Sequence, residues 1–204
     1  MSTPLEELAR TASTCTRCRL SAGRTQVVFA DGSPDADLMF IGEGPGYHED
    51  IQGLPFVGAA GQLLNRLLGE IGLRREDVRI TNVVLCRPPG NRDPLPDEIE
   101  SCKPYLMQQI ELVDPKVICT LGNFATRVIL ARPVAISRVR GQRHPWNGRV
   151  VIPTFHPAAV LRGGGDQSRT MSGIREDFAT ISEALAEARA VAGTPVAQEQ
   201  MGLF

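Results

Sequence analysis

A single α/β domain is predicted, three layers deep, with helices packed on both faces of a central, mostly parallel four-stranded sheet. Three observations lead there. Short runs rich in β-branched and aliphatic residues alternate with longer amphipathic segments, the pattern of a parallel sheet covered on both sides. The first apolar run ends abruptly in Gly42-Glu43-Gly44-Pro45-Gly46-Tyr47-His48-Glu49-Asp50. A Gly/Pro-rich turn followed by acids and a helix is how open α/β sheets build a pocket at their strand ends. Finally, 204 residues with 42% hydrophobic content suit one domain with a substantial core.

The elements follow in chain order. A short helix is predicted over 4–11, and strands over 36–42, 78–85, 116–122 and 150–155. Helical periodicity covers 60–71, 97–112 and 123–130. The second of these begins well, with Asp97, Glu98 and Glu100 in and near its first turn. Residues 137–146 and 149–153 read as the arms of a hairpin, because Asn147-Gly148 between them is a favoured two-residue turn. A last amphipathic helix spans 174–190. The domain is thus expected over 1–190. The segment 191–204 has no core-forming pattern and reads as a flexible tail.

Charge and cysteines narrow the chemistry. The formal net charge of −1 gives no global basic field. Arginines nonetheless cluster, with Arg138, Arg140, Arg143 and Arg149 around the hairpin and Arg162 and Arg169 flanking a glycine run; each also reads as a solvated face. No apolar stretch reaches 18 residues and no signal-peptide pattern appears, so a cytoplasmic protein is expected. In that compartment five cysteines argue against structural disulfides. Cys15-Thr-Arg-Cys18 forms one close pair, and Cys86 and Cys102 form another across fifteen residues. Four thiolates suit zinc or an iron–sulfur cubane equally. Either would staple the N-terminal segment to the 86–102 loop. Cys119, inside a strand, reads as a small buried hydrophobe.

The strand ends deliver an instructive set of side chains. The first brings Glu43, Gly44 and a Gly/Pro-bracketed loop carrying Phe56. The second brings Asn82 and then Cys86-Arg87-Pro88-Pro89-Gly90-Asn91-Arg92. The third brings Gly122 and Asn123, and the fourth Phe155-His156-Pro157-Ala158. Separately, Phe56 reads as a core residue, Asn82 as a strand-end cap and His156 as a satisfied imidazole. Together, an amide, an aromatic ring, an imidazole and a carboxylate can read a nucleobase edge and stack on its face.

These residues in this order resemble the uracil-DNA glycosylase superfamily, specifically its iron–sulfur family 4, over roughly residues 12–185. The likeness rests on Gly-Glu-Gly-Pro-Gly with Glu49-Asp50, Gly53-x-Pro55-Phe56-Val57-Gly58, Thr81-Asn82, Cys86-Arg87-Pro88-Pro89, Val139-Arg140-Gly141 and Phe155-His156-Pro157-Ala158. The four paired cysteines also fall in the family's order. The resemblance implies a 4Fe-4S cluster on Cys15, Cys18, Cys86 and Cys102. It further implies hydrolysis of the bond joining uracil to deoxyribose after the nucleotide is flipped from DNA. Phe56 would stack on the extruded base, with Gly44 beside it, and Asn82 would bond its O4 and N3–H edge. His156 would donate to O2 as negative charge collects there. The carboxylate is less determined by the likeness, since the best-known family has an aspartate where Gly44 stands. Glu43 is the nearest carboxylate, with its side chain expected on the opposite side of the strand end. Glu49 is the other candidate, or fills the space beside Gly46, and Asn91 would hold the attacking water.

Around the pocket, Leu161 and Arg162 would act as wedge and phosphate contact. Arg138, Arg140 and Arg143 would grip the DNA backbone. The protein is expected to act as a monomer. The final residues, with Gln200, Leu203 and Phe204, resemble the peptide by which bacterial repair proteins dock on the sliding clamp. Two alternatives are a glycosylase with a broader range, including hypoxanthine or xanthine, and a non-catalytic iron–sulfur DNA-binding module. A mononucleotide-binding enzyme is disfavoured, because no Gly-x-Gly-x-x-Gly fingerprint is present. A sister group that stays attached to DNA through a loop histidine is disfavoured too, as 87–96 contains none.

Overall fold

The computed structural model describes residues 2–192. Its centre is a sheet of strands β1 (Asp31–Gly32), β2 (Leu38–Gly42), β3 (Arg79–Asn82), β4 (Val117–Leu121), β5 (His144–Trp146) and β6 (Arg149–Thr154), in the order β1-β3-β2-β4-β6-β5. The four expected strands are its middle, mutually parallel. The expected count of four is corrected to six, because an antiparallel strand closes each edge. Two-residue β1 is too short to show alternation and exists through its pairing with β3.

The hairpin is also corrected. Its first arm is only His144–Trp146, while Ile136–Val139 form a short helix, α6. Gly141 then turns at φ +69°, a backbone conformation that would strain any residue with a Cβ, and donates its N–H to the Pro153 carbonyl at 2.8 Å. Pro145 is tolerated in β5 because that strand lies at the sheet edge.

Helices α1 (Pro4–Ser13), α2 (Tyr47–Gln52), α3 (Ala59–Glu70), α4 (Pro96–Val113), α5 (Gly122–Leu130), α7 (Pro157–Arg162) and α8 (Arg169–Ala192) complete the chain. Successive side chains of β2 point to opposite faces. Leu38 and Phe40 pack with Leu64 and Leu67 of α3 and Phe178 and Ile181 of α8. Met39 and Ile41 pack with Leu106 and Ile110 of α4 and Ala125 and Ile129 of α5. The three layers follow directly. Phe40 and Phe178 stack with centroids 5.6 Å apart, fastening α8 to the middle of the sheet. Helix α1, capped by the reciprocal Thr3–Glu6 hydrogen bonds, lays Leu8 and Ala12 against Leu85 and Tyr105. No helix among the described residues is long and apolar enough to cross a membrane.

After β2 the chain crosses to β3 on one side, then returns past β2 to β4 on the other. Connections that leave a strand in opposite directions open a crevice at its carboxyl end. The functional residues gather there.

Candidate active site

A pocket of about 480 Å³ opens at the carboxyl ends of β2, β3, β4 and β6. Gly42, the last residue of β2, makes it possible. A Cβ there would lie 2.4 Å from Asn82 Oδ1 and 2.5 Å from Phe56 Cζ. Asn82 is 1% exposed, and its Oδ1 has no hydrogen-bond partner among the described residues. A buried amide oxygen left unpaired costs about 1–3 kcal/mol, so this one is waiting for a donor.

Phe56 sits at φ +53°, which costs about 1–2 kcal/mol for a residue with a Cβ. Its ring lies beside the His156 imidazole, with centroids 5.7 Å apart and planes 29° apart. Close approach of α3 supports the loop, since a Cβ on Gly61 would fall 1.7 Å from the Phe56 carbonyl oxygen.

His156 is the N-cap of α7. Its Nδ1 accepts the Ala158 backbone N–H at 3.2 Å, which leaves the proton of the neutral ring on Nε2. Burial first, and the Arg162 charge second, push its pKa down to about 4, with Glu49 opposing. The ring is therefore neutral near pH 7 and remains a donor.

The carboxylates divide their roles. Glu43 lines the pocket, and its carboxyl feels the charges of Asp93 and Arg162, two other lining residues, against the expectation that it faces away. Burial and then the negative charge of Asp93 raise its pKa to about 7, against the pull of Arg162. Asp93, another pocket residue, was not legible as such, because its position depends on how the 87–96 loop folds back. Gly44 also lines the pocket, yet a Cβ on it would lie 2.7 Å from Val84 Cγ2, leaving no room for an aspartate. Glu49 borders the pocket with its oxygens fully engaged. They accept N–H bonds from Gly46 at 3.1 Å, Val57 at 3.0 Å and Gly58 at 2.9 Å. It does fill the space beside Gly46, where a Cβ would meet Oε2 at 2.8 Å. Asn91 lines the pocket in a left-handed conformation, φ +55°, its Oδ1 taking the Arg87 Nε–H at 2.6 Å.

Comparison with known proteins bears on this geometry. A family model described as the uracil DNA glycosylase superfamily matches residues 29–179. The chain belongs to the uracil-DNA glycosylase superfamily. It is 45% identical over 190 residues to the type-4 uracil-DNA glycosylase of Saccharolobus solfataricus, covering 89% of this chain and 86% of that protein. It is 47% identical over 167 residues to the type-4 enzyme of Thermotoga maritima, covering 81% and 87%. A type-5 uracil-DNA glycosylase of Pyrobaculum aerophilum is 30% identical over 179 residues, covering 79% and 75%.

Within this superfamily member, the arginines named as DNA contacts fall into two groups. Arg138 and Arg162 are exposed, neither side chain forms an ion pair among the described residues, and Arg162 lines the pocket next in sequence to exposed Leu161. Arg140 and Arg143 are engaged elsewhere. Arg140 bonds buried Asp177 through Nε at 3.0 Å and Nη2 at 2.9 Å, bonds the Gly173 carbonyl, and lies over the Phe155 ring at 5.3 Å. Thr154 Oγ1 completes the Asp177 site at 2.5 Å. Arg143 pairs with Glu187 at 2.6 Å and Glu183 at 3.6 Å on α8. Sequence reasoning missed these partners because they lie more than thirty residues away along the chain.

Cys15, Cys18, Cys86 and Cys102 line one small cavity between α1, α4 and the end of the β3 segment. The Leu85 N–H donates to Cys102 Sγ at 3.3 Å, and Arg24 Nη1 to Cys86 Sγ at 3.4 Å. Four cysteine sulfurs are the donor set an iron–sulfur cluster takes, and these two hydrogen bonds favour the thiolate forms that burial of Cys86 and Cys102 opposes. Their chemistry therefore suits such a cluster, although among the described residues no group of three or more His, Cys, Asp or Glu stands in an arrangement ready to hold a metal ion. Cys119 is buried within the sheet, its thiol pushed up in pKa by burial.

Proposed function

We propose that this chain flips deoxyuridine out of DNA and hydrolyses the bond between uracil N1 and the sugar C1′. The observation that carries the reading is the unpartnered Oδ1 of buried Asn82, a residue that lines the pocket together with Phe56 and His156. Uracil supplies the missing donor through N3–H, while Nδ2 donates to O4. Cytosine presents an amine and an unprotonated N3 there and mismatches both. Phe56 stacks on the ring. As the C1′–N1 bond lengthens, its electron pair moves onto uracil, and His156 Nε2–H stabilises the charge on O2. Ionised Glu43 orients a water toward C1′, supports the cationic sugar and accepts the water's proton. Asn91, which also lines the pocket, assists in holding that water.

Cys15, Cys18, Cys86 and Cys102 would hold a 4Fe-4S cluster, which when bound braces the loop carrying Asn91 and Asp93. Arg138 and Arg162 contact phosphates, and Leu161 fills the gap left in the stack. The clamp-docking segment with Gln200, Leu203 and Phe204 lies outside the described residues; if it docks, deleting 200–204 abolishes clamp binding and spares activity on short oligonucleotides. The central test is release of free uracil from a uracil-containing oligonucleotide, with hypoxanthine- and thymine-mismatch strands alongside. Uracil release lost in His156→Leu supports the reading; no release by the intact protein overturns it.

A further inference from the structure

The loop carrying Phe56 is gripped by opposite charges on its two sides. Arg75, from a turn just before β3, donates through Nη1 to the Phe56 carbonyl at 3.1 Å and through Nη2 to the Pro55 carbonyl. Glu49, from α2, accepts the next two amides, Val57 and Gly58. The peptide between Phe56 and Val57 is thus held at its oxygen by a cation and at its nitrogen by an anion. The peptide before it is held at its oxygen as well. With both flanking planes fixed, the left-handed φ of Phe56 has no freedom to relax, and the direction in which its Cα–Cβ bond leaves the backbone is set.

Arg75 is itself anchored. Its Nε bonds Asp31 Oδ2 at 2.5 Å, and Nη1 reaches Asn65 Oδ1 on α3 at 3.3 Å. Asp31 belongs to β1, whose two-residue pairing with β3 fixes it beside the sheet edge. A planar guanidinium spreads five donors over three nitrogens and so bridges two carbonyls and a carboxylate at once; an ammonium has three donors on a single nitrogen and lacks this fork.

We propose that Arg75, held by Asp31, is a positioning residue for base recognition: it sets the orientation of Phe56 against the flipped base. This rests on the pocket being the uracil site. It gives the short strand β1 a role at a distance, that of delivering the carboxylate that aims Arg75.

The test is a double-mutant cycle under single-turnover conditions, which isolates the coupling between two residues. Arg75→Met should raise the enzyme concentration giving half-maximal uracil release about tenfold, with the maximal rate falling less than threefold. Arg75→Lys, which keeps the charge without the fork, should lie between. In a Phe56→Leu background, Arg75→Met should change neither constant more than twofold, since the ring it aims is gone. An equal penalty in both backgrounds, or a lowered melting temperature with unchanged constants, overturns the proposal. Should Arg75→Met fail to fold, Arg75→Lys is carried through the same cycle with the same criteria. Intact protein that releases no uracil overturns the site reading itself, whereas an additive cycle on an active enzyme overturns only the role of Arg75.

Discussion

The pH dependence of the chemical step is the sharpest consequence of the pocket's electrostatics. His156, with a pKa near 4, stays neutral across the neutral range, so it cannot set a limb there. Glu43 can. Its pKa, raised from 4.5 to about 7 by burial and by Asp93, leaves it about 9% ionised at pH 6 and about 91% at pH 8. The working form is the carboxylate, so the single-turnover rate should rise about tenfold between those values. A carboxyl at its ordinary value would give a flat profile over the same range. Asp93→Asn removes a negative charge that favours the protonated form, so the limb should move to lower pH. Arg162→Ala removes a positive charge that favours ionisation, so the limb should move up. Glu43→Gln should abolish the limb along with most of the rate. The assay is quenched-flow uracil release with enzyme in excess, which keeps product release out of the measurement. A flat wild-type profile, or a limb that survives in Glu43→Gln, would refute the reasoning.

Further consequences are equally open to measurement. Gly42→Ala places a methyl group within 2.5 Å of both Asn82 and Phe56, and should cost roughly a hundredfold in excision rate by misplacing them. Circular dichroism checks that the fold survives. Arg140→Ala strands buried Asp177 and should lower unfolding free energy by about 3–5 kcal/mol, read from a urea midpoint. Arg162→Ala should leave that midpoint within the range of a surface change and reduce the salt dependence of DNA binding by about one counterion. Cys102→Ser should lose the brown colour expected of protein holding the proposed cluster, and its N-terminal segment should be cut by protease faster than that of the wild type. Equal protection in both would separate the four cysteines from any bracing role.

The fold was legible wherever burial alone decides it. The four central strands carry apolar runs because both of their faces are covered, and α3, α4 and α5 show the periodicity of helices lying on a sheet. Legibility failed where structure depends on a partner elsewhere in the chain. Strand β1 has no pattern of its own, and the Asn147-Gly148 turn draws 137–143 into the expected hairpin, although Ile136–Val139 is helical and Gly141 turns against Pro153. The site divides similarly. Asn82 ends β3, His156 follows β6 directly before Pro157, and Phe56 sits in the Gly/Pro-bracketed loop between α2 and α3; topology brings the three to one pocket. The pocket placement of Glu43, the engagement of Glu49 by three amides and the burial of Arg140 on Asp177 depend on loop geometry and distant partners, which composition does not encode. Arg75 was invisible for the same reason, since nothing around it marks two backbone carbonyls twenty residues away as its targets.

The account depends on a flat pyrimidine fitting among three side chains drawn from distant parts of the sequence. A crystal structure of the protein soaked with free uracil tests this most directly. The ring should lie on Phe56, with N3–H and O4 within about 3 Å of the Asn82 amide and O2 at a similar distance from His156 Nε2. Uracil bound elsewhere, or seated in the pocket with its N3–O4 edge turned away from Asn82, would contradict it.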